Sequence, residues 1–446
     1  WSEAGKKSKV KYKIFLNNLL KTLGPGILFA STAIGVSHLV QSTQAGASFG
    51  FTFLWAIILA NLFKYPFFEF GSRYANATGE SIISGYHKLG RGAITSYFII
   101  TLISMFLVTA AVGFVTSGFM QQLFGIENTM LTVTIVFAVC IVILISDNFS
   151  ILDKLIKVIG IVLLFSTLTA FVFVLIKGPS SNQDMFSFEQ VNSKDYLLFL
   201  IPLMGWMPTA VDLSAWNSLW TIERIKETGY HPKLKETLFD FNFGYILSAL
   251  LAICFLTLGA FVMFGSGMEF SPSGVKFSGQ VIELYTATFG EWAYWIIAIS
   301  AFSIMFGTCI AVFDGYSRAM SATIPKLLNK KETSVFNTTT DATPQQQINQ
   351  KAVYRIILLI VAAGAFILIY IFHNDPKGFK GLVNLATSVS FIMAPVIAIF
   401  NLILVGKKFV GESHTPPLWM RILAILGIVF LSLFTLFFIF KNFFIS

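Results

Sequence analysis

Charge is what this chain has least of: Asp, Glu, Lys and Arg make up 12% of its 446 residues, about half the share found in soluble domains. So little charge excludes a water-facing surface over most of the molecule. Cysteine is nearly absent as well. Cys140, Cys254 and Cys309 all lie in apolar runs and form no CxxC pair, which excludes a disulfide or zinc framework and leaves small buried hydrophobes. There are five histidines, and neither a His and carboxylate cluster nor a nucleophile–base spacing accompanies them, so the chain reads as no enzyme. The short alternating runs of a β-barrel are missing too.

Apolar sequence fills the space. The chain is 55% hydrophobic with a mean hydropathy of +0.75, and a bilayer core about 30 Å thick takes about 20 apolar residues per helix. Eleven such stretches stand between polar breaks: 24–46, 51–72, 95–119, 128–146, 155–176, 196–220, 241–265, 290–316, 352–372, 380–405 and 418–440. The expectation is an all-α polytopic membrane protein, since helices are the remaining way to satisfy the backbone in lipid. With loops assigned alternately, 24 of the 31 Lys and Arg residues fall on the N-terminal side and 6 on the other, with Lys64 inside the second span. That bias predicts an N-terminus in the cytoplasm and a C-terminus outside, in a bacterial inner membrane.

The net charge of +9 is thus a cytoplasmic-face effect and no nucleic-acid footprint. "KKSKVKYK" at 6–13 reads as an orientation signal, with anionic lipid as the alternative contact. The chain opens at Trp1 with no cleavable signal in view, so residues before it are expected and the first span itself targets the membrane. A cytoplasmic loop, 326–351, is expected to be flexible, its Thr, Gln and Asn-rich part running from 329; the sequon "NTT" at 337–339 is discounted on that side.

Two spans carry helix breakers near mid-depth. "AIGVSH" (33–38) interrupts the first, and "MGWMPTA" (204–210) interrupts the sixth, where Pro208 lacks a donor. Breaks five spans apart predict two inverted five-helix repeats, 24–176 and 196–405, following a basic segment 1–23 and followed by an eleventh helix, 418–440. Pro66 and Pro395 have no such counterpart and read as ordinary kinks.

"LGPGILFASTAIGVSHLVQSTQAGASFGFTFLWAIILANL" (23–62), with Gly-Pro-Gly at 24–26 and Ala-Gly then Gly-Phe within 45–51, resembles the first two helices of the Nramp family of proton-coupled divalent metal transporters. "ATGES" (77–81) and the Met-Pro at 207–208 match as well, and the resemblance covers essentially the whole chain. It implies a LeuT-like fold of the APC superfamily with helices 1 and 6 unwound, and a site between them. The departures change the chemistry. The family's metal-binding Asp-Pro-Gly-Asn falls on Gly35, Val36, Ser37 and His38, and its Met-Pro-His on Met207, Pro208 and Thr209. The carbonyl the family contributes falls on Met204, and "LVTAAVGFV" (107–115) lacks the acidic residues of its proton route.

His38, Met207 and carbonyls form a neutral ligand set that suits a soft ion better than Mn²⁺, which prefers carboxylate and water. A zwitterion instead uses both ends of a broken helix, its carboxylate on N–H groups near Ser37 and His38 and its ammonium on carbonyls near Ile34 or Met204. The candidate binding residues are Gly35, Ser37, His38, Gln41, Met204, Met207, Thr209, Asn384 and Thr387, with Ser42, Thr43, Gln44 and Ser388 on the same polar faces. His38 and Asp212 are the candidates for a coupling ion, H⁺ or Na⁺, and Trp206 for a gate or simple packing. Asp314 with Arg318 and Glu69 with Arg73 read as i,i+4 pairs, whereas Asp212 has no partner on its own helix. No cofactor is expected. The leading reading is a secondary transporter of a small organic solute such as an amino acid. The alternatives are a divalent metal transporter with an altered site and a membrane sensor on the same scaffold; the sensor reading lacks the soluble output domain it would need after the last span.

Overall fold

In this computed structural model, residues 21–145, 149–186, 194–267, 270–271, 274–328, 344–375 and 378–444 are described. Every expected span is helical. The continuous ones are Leu54–Thr78, Arg91–Phe124, Thr129–Ile145, Phe149–Lys177, Leu234–Val262, Tyr294–Leu327, Pro344–Phe372, Gly378–Leu404 and Leu418–Phe444. Seven of the described helices are long and apolar enough to cross a membrane by themselves. Several run past the apolar stretch that marks them, because polar residues continue the same helix beyond the hydrocarbon. The ninth begins at Pro344, so the expected loop 326–351 is shorter than the sequence implied; its 329–343 part, with the 337–339 sequon, lies outside the described residues, as does 1–20.

The first and sixth spans are each broken. Pro25–Ala33 ends where Ile34 and Gly35 leave helical geometry, and a π-helical stretch, Val36–Ser42, leads into Thr43–Phe49. Lys194–Trp206 stops before Met207–Pro208, and the chain turns helical again at Leu213–Thr228. Pro66 and Pro395 sit inside unbroken helices, as expected of plain kinks.

Burial separates centre from rim. In the third, seventh and eighth spans 61 to 72% of the apolar window is buried, against 18 to 33% in the fifth, ninth and eleventh. Val158, Phe165, Ile176, Ile371 and Leu433, each more than half exposed, therefore form the face offered to lipid.

The first span is seated on the seventh at both ends by glycine. A Cβ on Gly26 would lie 1.9 Å from the Asp240 carbonyl oxygen, and one on Gly259 2.0 Å from that of Thr43. Backbones this close leave no room for a side chain, the usual mode of helix association where lipid supplies no hydrophobic drive. Asp240 adds a cap: its carboxylate accepts from the Gly24 and Gly26 N–H groups at 3.0 and 2.7 Å, satisfying the start of the first helix.

Candidate transport site between the two helix breaks

At the first break, Gly35 is held against the eighth span: a Cβ there would meet Thr308 Cγ2 at 2.5 Å. Thr308 donates to the Ser31 carbonyl at 2.9 Å and so satisfies one of the carbonyls that the helix end leaves without a partner. Ser37 covers another, donating to the Ala33 carbonyl, and its hydroxyl also reaches the Pro208 carbonyl in the sixth-span break at 3.1 Å.

His38 is fully buried. Its Nε2 lies 2.9 Å from the Ser248 carbonyl of the seventh span, and since a carbonyl only accepts, Nε2 carries a proton. Its Nδ1 lies 2.8 Å from Ser37 Oγ. Nε2 is thus engaged by the protein, and Nδ1, the ring nitrogen that keeps its lone pair, lies against the Ser37 hydroxyl. Met207 is buried, and among the described residues no group of three His, Cys, Asp or Glu side chains could hold a metal ion.

The sixth-span break holds a residue that the sequence reading counted but did not assign. Lys64, from the middle of the second span, is fully buried, and its ammonium donates to the carbonyls of Met204, Gly205 and Thr209 at 2.7, 2.8 and 3.3 Å. These are the carbonyls that Pro208 and the helix end leave without backbone partners. An ammonium has three N–H donors, and all three are used. The Met204 carbonyl, expected to receive a substrate's ammonium, is therefore already occupied by the chain's own. The signal was present in the sequence: an intramembrane lysine with no acidic residue at i±3 or i±4 needs a partner on another helix.

Asp212 stands in the link ahead of the second half-helix, Leu213–Thr228, 5% exposed. It has no partner on its own helix, as expected, but Lys64 lies within electrostatic reach across the break. Its Oδ2 has no protein partner. Tyr97 of the third span and Tyr316 of the eighth, both buried, lie within electrostatic range of the same carboxylate, with Thr101 and Ser104 beside their hydroxyls.

The remaining candidates spread out. Gln41 is buried with its side-chain oxygen unpartnered, as is the Thr43 hydroxyl. Thr209 is buried and enters the cage through its carbonyl. Thr387 is buried in the tenth span, its hydroxyl returned to the Val383 and Asn384 carbonyls, and its own carbonyl lies 2.5 Å from where a Cβ on Gly205 would be. Asn384 and Ser388 are half-buried. Trp206 donates to Ser390 at 3.0 Å and joins the sixth span to the tenth, a packing role.

The two i,i+4 pairs form as expected. Arg73 binds Glu69 and donates to the His414 carbonyl at 2.9 Å. Asp314 accepts from Arg318 at 2.8 Å, from Tyr354 at 2.9 Å and from Trp220 at 3.1 Å.

The family model described as "Natural resistance-associated macrophage protein-like" matches residues 26–441. An uncharacterized protein of Pasteurella multocida is 36% identical over 426 residues, covering 94% of this chain and 91% of that one. The crystal structure of an Eremococcus coleocola manganese transporter, in complex with an aromatic bis-isothiourea substituted compound, superposes with a TM-score of 0.68 at 15% identity, covering 95% of this chain and 87% of that one. MhsT in complex with L-phenylalanine gives 0.61 at 12% identity, with 92% and 98% covered. A family match over nearly the whole length, a relative 36% identical over 94% of the chain and two broken helices place the chain in the Nramp family, on the LeuT-like fold of membrane transporters.

Proposed function

We propose that this chain is a secondary transporter working by alternating access, and that its solute is a small organic molecule bearing a carboxylate, such as an amino acid, in place of a bare divalent metal ion. The observation that carries this reading is the Lys64 ammonium seated on the Met204, Gly205 and Thr209 carbonyls. Unit charges 4 Å apart repel by about 4 kcal/mol at an effective dielectric of 20, and a dication doubles that. No carboxylate stands at Gly35 or His38 to offset it, and Asp212 balances only one positive charge, so a dication beside Lys64 stays uncompensated where a zwitterion adds no net charge.

A carboxylate suits the same place. The dipole at the start of a half-helix favours negative charge, and Lys64 adds positive charge. MhsT, with the same fold, holds L-phenylalanine. Transport of a metal ion is the second reading, favoured by the likeness to a manganese transporter and by the thioether retained at Met207.

Uptake into proteoliposomes of Mn²⁺, Mg²⁺ and a panel of amino acids, with and without pH and Na⁺ gradients, separates the two. Saturable uptake of an organic solute, unaffected by Mn²⁺, is expected. Saturable Mn²⁺ uptake that is lost in His38→Ala would overturn the assignment, and absence of all uptake by folded protein would favour the sensor.

A further inference from the structure

The three carbonyls at the sixth-span break form a cation-binding cage whose occupant is part of the chain. Their oxygens lie 2.7 to 3.3 Å from the Lys64 nitrogen, wider than the roughly 2.0–2.1 Å of Mg²⁺ or 2.3–2.6 Å of Ca²⁺ ligation. The spacing fits an ammonium, which binds through N–H donors. Two carbonyls, Met204 and Gly205, end the first half-helix, Lys194–Trp206, where the helix dipole favours positive charge. The stem crosses from the second span, and the carboxylate within electrostatic range of its end is Asp212, at the head of the second half-helix, Leu213–Thr228.

We infer that Lys64 is a tethered cation, doing from within the protein what a free monovalent ion would do at this cage, with Asp212 as its counter-charge across the break. Lys64 thus straddles the discontinuity: it binds the end of one half-helix by hydrogen bonds and faces the start of the other through its charge. The titratable groups within electrostatic range of Asp212 on the neighbouring elements are Tyr86, Tyr97 and Tyr316, so Lys64 is the one cation among the described residues in that set. The consequence for transport, which rests on the function proposed above, is that the solute crosses without a co-bound Na⁺ at this position.

The cage is testable apart from any transported solute. Lys64→Ala removes the ammonium and three carbons of stem, leaving a slot shaped for n-propylammonium. The melting temperature of purified Lys64→Ala should rise saturably with n-propylammonium, by about 3 °C, while tetramethylammonium, which has no N–H, and Mg²⁺ leave it unchanged. The parent protein should show no amine-specific shift. In a second arm, Lys64→Met keeps the stem's volume but strands Asp212, so adding Asp212→Asn should raise its melting temperature. An equal shift in parent and Lys64→Ala, or none, overturns the inference; where Lys64→Ala does not fold, so does failure of Asp212→Asn to relieve Lys64→Met. An amine shift without any solute uptake would sink the transport reading and leave the cage standing.

Discussion

The Ser37 hydroxyl, in the first-span break, reaches the Pro208 carbonyl, in the sixth-span break, across 3.1 Å. The two places where the long helices lose their own backbone bonds therefore supply partners to each other. Ser37 also contacts the Ala33 carbonyl and His38 Nδ1.

Replacing that hydroxyl tests the bridge. Ser37→Ala removes the one hydroxyl proton available to the Ala33 and Pro208 carbonyls and His38 Nδ1, a cost of about 1–3 kcal/mol. A lowered melting temperature is expected, with Ser37→Thr close to the parent. Should Ser37→Ala melt with the parent, the hydroxyl does not bridge the breaks.

Gly35 makes a steric prediction. Gly35→Ala drives a methyl into Thr308 Cγ2 at 2.5 Å, and overpacking of this kind costs about 1–3 kcal/mol. Thr308→Ser removes the obstructing methyl and keeps the hydroxyl on the Ser31 carbonyl. The double variant should recover part of the loss, and strictly additive melting shifts would show that the two residues do not touch.

Asp314 and Glu412 contrast a buried ion pair with an exposed one. Asp314 is fully buried and accepts from Arg318, Tyr354 and Trp220; removing one partner of such a pair costs about 3–5 kcal/mol. Asp314→Ala should unfold the protein at markedly lower denaturant. Glu412→Ala, which breaks only the exposed bridge to Lys407 at 2.9 Å, should cost under about 1 kcal/mol. Comparable losses from the two would contradict the role given to burial.

Asp240 closes the start of the first span by accepting from two backbone N–H groups. Loss of such a cap costs about 0.5–2 kcal/mol. Asp240→Ala should therefore speed amide exchange at Leu28 and its neighbours more than at Ile57 in the second span. Uniform exchange across both would argue against a local cap.

The sequence made the eleven spans and both breaks legible, because apolar length and a proline or glycine at mid-depth are properties of a single segment. The i,i+4 pairs Glu69–Arg73 and Asp314–Arg318 were legible for the same reason. Lys64 was not, since its three acceptors lie 140 to 145 residues away and nothing in the local pattern names them. His38 illustrates the same limit: residue type and position suggested a ligand, while the Ser248 carbonyl that occupies Nε2 belongs to a span 210 residues on.

The glycine contacts between the first and seventh spans constrain how the molecule can move. Contacts at Gly26 below and Gly259 above pin both segments of an interrupted rod to a single unbroken one. The interrupted span thus has a splint along its length. Bending at Gly35 alone would pry one contact open, so a low-cost motion carries the seventh span with the first as one lever and places the sliding surface on their other neighbours.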